Sequence, residues 1–391
     1  AFCAAAPGVA APAPDSYPVA TAVRLGGDEN QTQFVMDLTR KIEVHVFTLA
    51  DPYRVVVDIP EVVFKLPPHA GKSGRGLIKA FRFGLMMEGA SRVVLDVVKP
   101  VRVEKAFTMN AAAGNPARLV LDLVATDRRS FLRQIAIDDQ FARVQLPPAA
   151  APQPRSGDAR PVIMLDPGHG GIDTGTVAPT GEEEKNIVLD IAKRLRARLD
   201  KFGKYRVLMT RTDDVYVPLD ERVRMARAAG ASLFVSIHAN SLPHKEGDAR
   251  GATVYTLSNK ASDPQAALVA EKENRSDVIA GVNLKTEPND VAGILIDLAQ
   301  RETKTFSVQF AHRLVGDLTG VARLHKDPIK SAGFRVLRAP DVPSVLVELG
   351  YVSDRQDLKS LMSDRWREHA VDAIARAIDT YLSAHLAAAR A

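Results

Sequence analysis

The chain has 391 residues, more than one ordinary domain needs, and its 46% apolar content is that of a globular protein. Its 52 Lys and Arg against 47 Asp and Glu leave a net charge of +5 with no long basic block, which argues against a nucleic-acid partner. No run approaches the roughly 20 apolar residues of a transmembrane segment, and the single cysteine, Cys3, excludes an intrachain disulfide and a thiolate metal cluster.

The first residue is not Met and small residues fill positions 3 to 13, as in the tail of a secretory signal, so residues 1–16 are read as a leader or signal remnant of an exported protein. From Tyr17 to Thr126 the chain reads as short strands divided by turn residues. A small echo recurs in Phe34-Val35-Met36-Asp37-Leu38, Arg54-Val55-Val56-Val57-Asp58-Ile59, Arg92-Val93-Val94-Leu95-Asp96-Val97 and Arg118-Leu119-Val120-Leu121-Asp122-Leu123. Charged residues flanking a β-branched or Leu-rich centre suit strands with one buried face, and the spacing predicts an all-β sandwich of about 110 residues. Residues 127–160, with Pro147-Pro148-Ala149-Ala150-Ala151-Pro152-Gln153-Pro154, read as an interdomain linker. Within it, Phe131 to Phe141 suits either a last strand or a short helix.

From residue 161 to 387 strands alternate with amphipathic helices. Val162 to Leu165 is a buried strand, and Asn186 to Phe202 is a helix with Ile187, Ile191, Leu195 and Leu199 on one face. Strands follow at Tyr205 to Thr210, at Leu233 to Ile237 after a helix begun by Pro218, and at Gly251 to Leu257. Pro264 to Val315 is mostly helical, interrupted by Gly281 to Asp290, and the strand Val345 to Val347 precedes a helix from Asp364 to His385. This alternation predicts an α/β domain with a mostly parallel or mixed sheet flanked by helices.

Three of these strands end on residues suited to chemistry: His169 in Asp166-Pro167-Gly168-His169-Gly170-Gly171, His238, and Glu348. Ligands bind beyond the carboxyl ends of strands in such sheets, so the three endings point to one site. Two histidines and a carboxylate make a His2Glu zinc site with a fourth position open to water. The carboxylate comes from Glu182-Glu183-Glu184, among which spacing alone does not choose. Glu348 is placed to act as general base or acid beside the metal.

The stretches Asp166 to Gly171, Glu184-Lys185, Ser236-Ile237-His238-Ala239-Asn240 and Ser344-Val345-Leu346-Val347-Glu348-Leu349-Gly350-Tyr351 resemble the motifs of the zinc N-acetylmuramoyl-L-alanine amidases that split daughter cells in bacteria. The resemblance implies a Zn2+ cofactor held by His169, Glu184 and His238, with Glu348 as catalytic carboxylate. It implies a peptidoglycan substrate, cut between N-acetylmuramic acid and the L-alanine of the stem peptide, and a periplasmic location. The region 17–126 is similar to the AMIN domain that accompanies such enzymes, which implies wall binding. Septal members carry an inhibitory helix that gives a glutamate to the zinc until an activator with a LytM-type domain moves it. By that resemblance the insertion at about 264–305 is the brake and Glu271 the inhibitory ligand, with Glu273 as the alternative. The rival readings are a zinc peptidoglycan peptidase and a non-catalytic wall-binding protein.

Overall fold

The computed structural model describes residues 17–142 and 158–388, apart from 68, 88, 113, 159, 242–249 and 283–294. The leader, the Pro-rich part of the linker and the middle of the 264–305 insertion thus lie outside the described residues. The chain divides into two compact units, Ala1–Gln145 and Leu146–Ala391.

The first unit contains β1 (Val19–Gly27), β2 (Gln31–Leu38), β3 (His45–Leu49), β4 (Arg54–Pro60), β5 (Val63–Phe64), β6 (Ile78–Met87), β7 (Ala90–Val97), β8 (Val101–Met109), β9 (Ala117–Ala125) and the helix α1 (Arg128–Ala142). Two sheets, ordered β5-β1-β2-β9-β8 and β3-β4-β7-β6, make up its β structure. Alternate residues fill the core between them: Phe34, Met36 and Leu38 from β2, Val55 and Val57 from β4, Val93 and Leu95 from β7, Leu119 and Leu121 from β9. The recurring aspartates pair across strands instead. Arg24 donates to Asp37, Arg92 to Asp58, Arg82 to Asp96 and the Gln33 amide to Asp122. The echo in the sequence is therefore a set of cross-strand polar pairs alternating with core residues.

Residues 128–142 correct the reading of 127–160 as linker. Asp127 caps α1 by accepting from the Ser130 N–H at 2.9 Å, and Phe131 and Ile135, one turn apart, join the β core. Phe131 meets Tyr53 edge to face at 5.2 Å.

The second unit contains β10 (Val162–Pro167), α2 (Glu184–Asp200), β11 (Arg206–Met209), α3 (Leu219–Ala228), β12 (Ala231–His238), β13 (Ala252–Leu257), α4 (Pro264–Asn274), α5 (Ser276–Ile279), α6 (Leu295–Leu318), β14 (Leu324–Ala332), β15 (Ser344–Glu348), α7 (Arg355–Leu361) and α8 (Asp364–Ala388). The sheet order is β11-β10-β12-β15-β13-β14, parallel throughout except where β13 runs against β15. Ile163, Leu165, Val235 and Val345 pack on one side against Ile191 and Leu195 of α2, Phe310 of α6 and Ile374 of α8. Met164, Phe234 and Leu346 face the other way, toward α3 and α4. Burial on both faces explains why the central strands read as unbroken apolar runs. The edge strand β14, Leu-His-Lys-Asp-Pro-Ile-Lys-Ser-Ala, has no such pattern and was not foreseen; its charges and proline suit an edge. Among the described residues no helix is long and apolar enough to cross a membrane.

Candidate metal centre

Strands β10, β12 and β15 lie side by side, with Pro167 beside Ile237 and His238 beside Glu348 in parallel register. Their carboxyl ends therefore open on one spot. The loop after β10 turns sharply there, with His169 at φ 58° and Gly170 at φ 125°. At Gly168 a Cβ atom would stand 2.2 Å from Cε1 of the His238 ring, so only glycine lets the two histidine segments approach this closely.

Two buried arginines fix the loop. Arg222 donates to Asp166 Oδ1 at 2.7 Å, to the Pro167 carbonyl at 2.9 Å and to the His169 carbonyl at 2.7 Å. Arg211 donates to the carbonyls of Pro167 and Gly168 at 2.9 and 2.8 Å. Asp166 also accepts from the hydroxyls of Thr210 and Ser236, each at 2.6 Å.

The structure brings His169, Glu184 and His238 together, all buried. Glu184 is distinguished from its neighbours by helix phase: as the first residue of α2 it shares the buried face with Ile187, Val188 and Ile191, whereas Glu182 bonds Thr180 at the surface. Glu184 Oε1 lies 3.2 Å from His169 Nε2 and 3.2 Å from His238 Nδ1.

A second carboxylate closes the cluster. Glu273 Oε2 lies 3.3 Å from His169 Nε2 and 3.2 Å from His238 Nδ1. Here the expectation for Glu271 is corrected: its side chain is 65% exposed and reaches only Arg275, at 3.9 Å, while that of Glu273 is 4% exposed. Helix phase again decides, because the buried face of α4 is Ala266, Val269, Ala270 and Glu273. That spacing from the apolar residues was the available signal.

These separations suit a small divalent ion. Ligands about 2.0 Å from a tetrahedral ion stand about 3.3 Å apart, which is the spacing on the four edges given above. His169 Nε2 and Glu273 Oε2 are also buried without a hydrogen-bond partner, as atoms aimed at a cation would be. His169 Nδ1 faces Asp173 Oδ2 at 2.9 Å, the carboxylate–histidine arrangement that orients metal ligands, and Asp173 in turn accepts from Ser276 of α5.

Charge balance follows from this crowding. Burial lowers the pKa of His238, but Glu273 and Glu184 outweigh it and raise it to about 10; burial likewise lowers His169, and Glu184, Asp173 and Glu273 carry it well above its ordinary value. Burial pushes Glu348 up to about 8, against the pull of His238 and with the help of the Glu273 and Glu184 charges. Both Glu348 oxygens accept from Asn240, one from its N–H and one from its side-chain amide, each at 3.0 Å. Sequence reasoning missed Asp173, Asn240, Arg211, Arg222 and Ser276. None ends an apolar run in a way that marks it, and apart from His169 beside Asp173 the partners lie far away in the chain.

The chain is similar to known proteins over most of its length. The model of the N-acetylmuramoyl-L-alanine amidase family Amidase_3 matches residues 163–380, and that of the AMIN domain matches residues 22–123. The N-acetylmuramoyl-L-alanine amidase AmiC of Escherichia coli O6:H1 is 35% identical over 375 residues, covering 93% of this chain and 89% of that protein. AmiC of Neisseria meningitidis serogroup B is 34% identical over 382 residues, covering 94% and 90%. Among solved structures, the amidase AmiC2 of Nostoc punctiforme aligns over 58% of this chain and 99% of its own, with 27% identity and a TM-score of 0.42.

Proposed function

Because this chain belongs to the N-acetylmuramoyl-L-alanine amidase family, we propose that it is a zinc enzyme of the periplasm that splits septal peptidoglycan and is held off by its own helix α4. The amidase reaction on peptidoglycan comes with the family. The zinc, the brake and the cellular role are the proposal.

The observation that carries it is the group of four buried donors, His169, Glu184, His238 and Glu273, with near-tetrahedral edges and two orphaned atoms. Two imidazoles and carboxylates suit zinc. When bound, zinc supplies Lewis acidity toward the scissile carbonyl and lowers the pKa of water. With Glu273 withdrawn and a cation held by the histidines, part of the negative charge that raises Glu348 would be relieved, leaving it a carboxylate that takes the proton from the attacking water and passes it to the leaving amine; Asn240 keeps both of its oxygens in place for that transfer. Thr176 N–H and Ala239 N–H each donate to Glu184 at 2.9 Å and hold its carboxylate toward the histidines.

Glu273 fills the position that water or substrate needs, so α4 must move before hydrolysis. A partner with a LytM-type domain is assigned that task, as the family resemblance implies. Residues 161–387 carry catalysis, and the AMIN unit is assigned wall binding.

The test is digestion of purified peptidoglycan by the full chain and by Glu273→Ala, with and without chelator, followed by mass analysis. Release of intact stem peptide by Glu273→Ala, abolished by chelator and restored by zinc, is expected, with the parent and Glu271→Ala both near background. A Glu273→Ala protein no more active than the parent refutes the brake. Chelator-resistant hydrolysis refutes the metal.

A further inference from the structure

Helix α4 places two adjacent side chains over the site. Glu273 reaches the histidines, and Lys272 reaches a second spot beside them. Its Nζ donates to Thr176 Oγ1 at 2.6 Å, to Asn240 Oδ1 and to the Ser241 carbonyl at 3.3 Å. Lysines usually meet carboxylates or water, yet here three neutral oxygens converge on one nitrogen, matching the three donors of an ammonium group. These oxygens belong to the segments that carry the site, since Thr176 N–H holds Glu184 and Asn240 follows His238 by two residues.

We infer that Thr176 Oγ1, Asn240 Oδ1 and the Ser241 carbonyl form a subsite for the amine side of the scissile bond, which Lys272 fills while α4 is docked. This rests on the amidase reading above and adds to it where the leaving group sits.

The Asn240 carboxamide defines the geometry. Its Nδ2 donates to Glu348 Oε1 at 3.0 Å and lies 3.3 Å from Glu273 Oε1; both are acceptors, so its Oδ1 must face the other way, toward Lys272. One end of a single amide group thus meets the Glu273 carboxylate and the other end the Lys272 ammonium. Glu273 and Lys272 therefore occupy two neighbouring positions along the site, and the one Lys272 takes is lined by acceptors alone.

The chemistry balances at this spot. Water forms the new C–O bond and the C–N bond breaks. The water's proton, taken up by Glu348, goes to the departing nitrogen, and Glu348 Oε1 is bonded to the same Asn240 whose Oδ1 would receive that nitrogen. The subsite accepts N–H groups and offers no positive charge, so it selects an amide N–H before cleavage and an ammonium after it.

The test uses the zinc-loaded full chain with K272M and E273A, which empties both positions, and a synthetic stem peptide beginning with free L-alanine. Calorimetric titration is expected to show binding that T176V weakens about tenfold, the scale of one hydrogen bond to a charged donor, and that T176S keeps. T176V retains the backbone N–H to Glu184, so a fold or metal effect is separated by measuring zinc content. A des-amino peptide, beginning with propionyl in place of alanyl and so lacking those N–H donors, is expected to erase the difference between parent and T176V. Equal binding of the free-amine peptide by parent and T176V overturns the subsite. Wall digestion by the same K272M/E273A parent separates the two ideas: with stem peptide released, equal binding removes the subsite alone, whereas no release removes the amidase reading and this inference together.

Discussion

Replacing Arg222 with Met tests whether the histidine loop depends on a buried ion pair. Arg222 and Asp166 are each 1% exposed, and the methionine would leave Asp166 with only the Thr210 and Ser236 hydroxyls as side-chain partners. It would also strip donors from the carbonyls of Pro167, His169 and Val217. Breaking one side of a buried pair costs about 3 to 5 kcal/mol, and for a domain of this size that is a fall in Tm of about 6 to 20 °C. The pH dependence carries the diagnosis. Burial alone would raise the pKa of Asp166, but Arg222 and the hydroxyls outweigh it and hold it below the ordinary value. In the parent this stabilisation is present above the unfolded pKa, about 3.9, and is lost as pH falls through the lower folded value. In Arg222→Met burial dominates, the folded pKa rises above the unfolded one, and acid stabilises the variant relative to neutral pH. Scanning calorimetry of both proteins at neutral pH and about one unit above the unfolded pKa is expected to show the gap narrowing in acid. A loss below about 2 °C, within the range of ordinary surface substitutions, or a gap that widens in acid, refutes the reasoning.

Three further outcomes follow from the site. In the Glu273→Ala protein, Glu348→Gln is expected to lower hydrolysis by about 10²- to 10⁴-fold while retaining metal in elemental analysis; full activity removes Glu348 from proton transfer. Gly168→Ala is expected to lose metal, since its Cβ would meet the His238 ring 2.2 Å away; a parent-like metal content shows that the loop can yield. Because His169 and His238 have raised pKa values in the metal-free protein, both shed a proton to bind a cation, so affinity should rise with pH across neutrality, roughly tenfold per unit for each proton released. Titration in buffers of different ionisation enthalpy measures that release, and its absence refutes the charge assignment.

Much of this site was legible because its main parts sit at the ends of apolar strands. His169, His238 and Glu348 each follow such a run, and the parallel register of β10, β12 and β15 brings those ends together. Spacing alone left Glu184 as one of three; the resemblance named it, and its place on the buried face of α2 brings it to the histidines. Glu271 was preferred over Glu273 by its position ahead of the insertion, whereas the apolar face of α4 set by Ala266, Val269 and Ala270 carries Glu273 inward. Strand β14 escaped, and helix α1 was read only as one of two alternatives, for different reasons. The first is a polar edge whose only pattern is its pairing with β13, and the second follows the β region directly, its described side chains Phe131, Leu132 and Ile135 meeting the core.

Helix α4 and the ion the cluster suits share one carboxylate, and that makes their equilibria reciprocal. If the docked helix tightens the hold on the ion by some factor, the ion tightens the hold on the helix by the same factor. The hydroxyl of Ser276 on Asp173, behind His169, adds a second strand to this linkage from α5. If the proposed brake holds, starving the protein of metal loosens its cover, and a partner that lifts the cover works against the ion's grip, so the force needed to switch the enzyme on would be set partly by how much metal surrounds it.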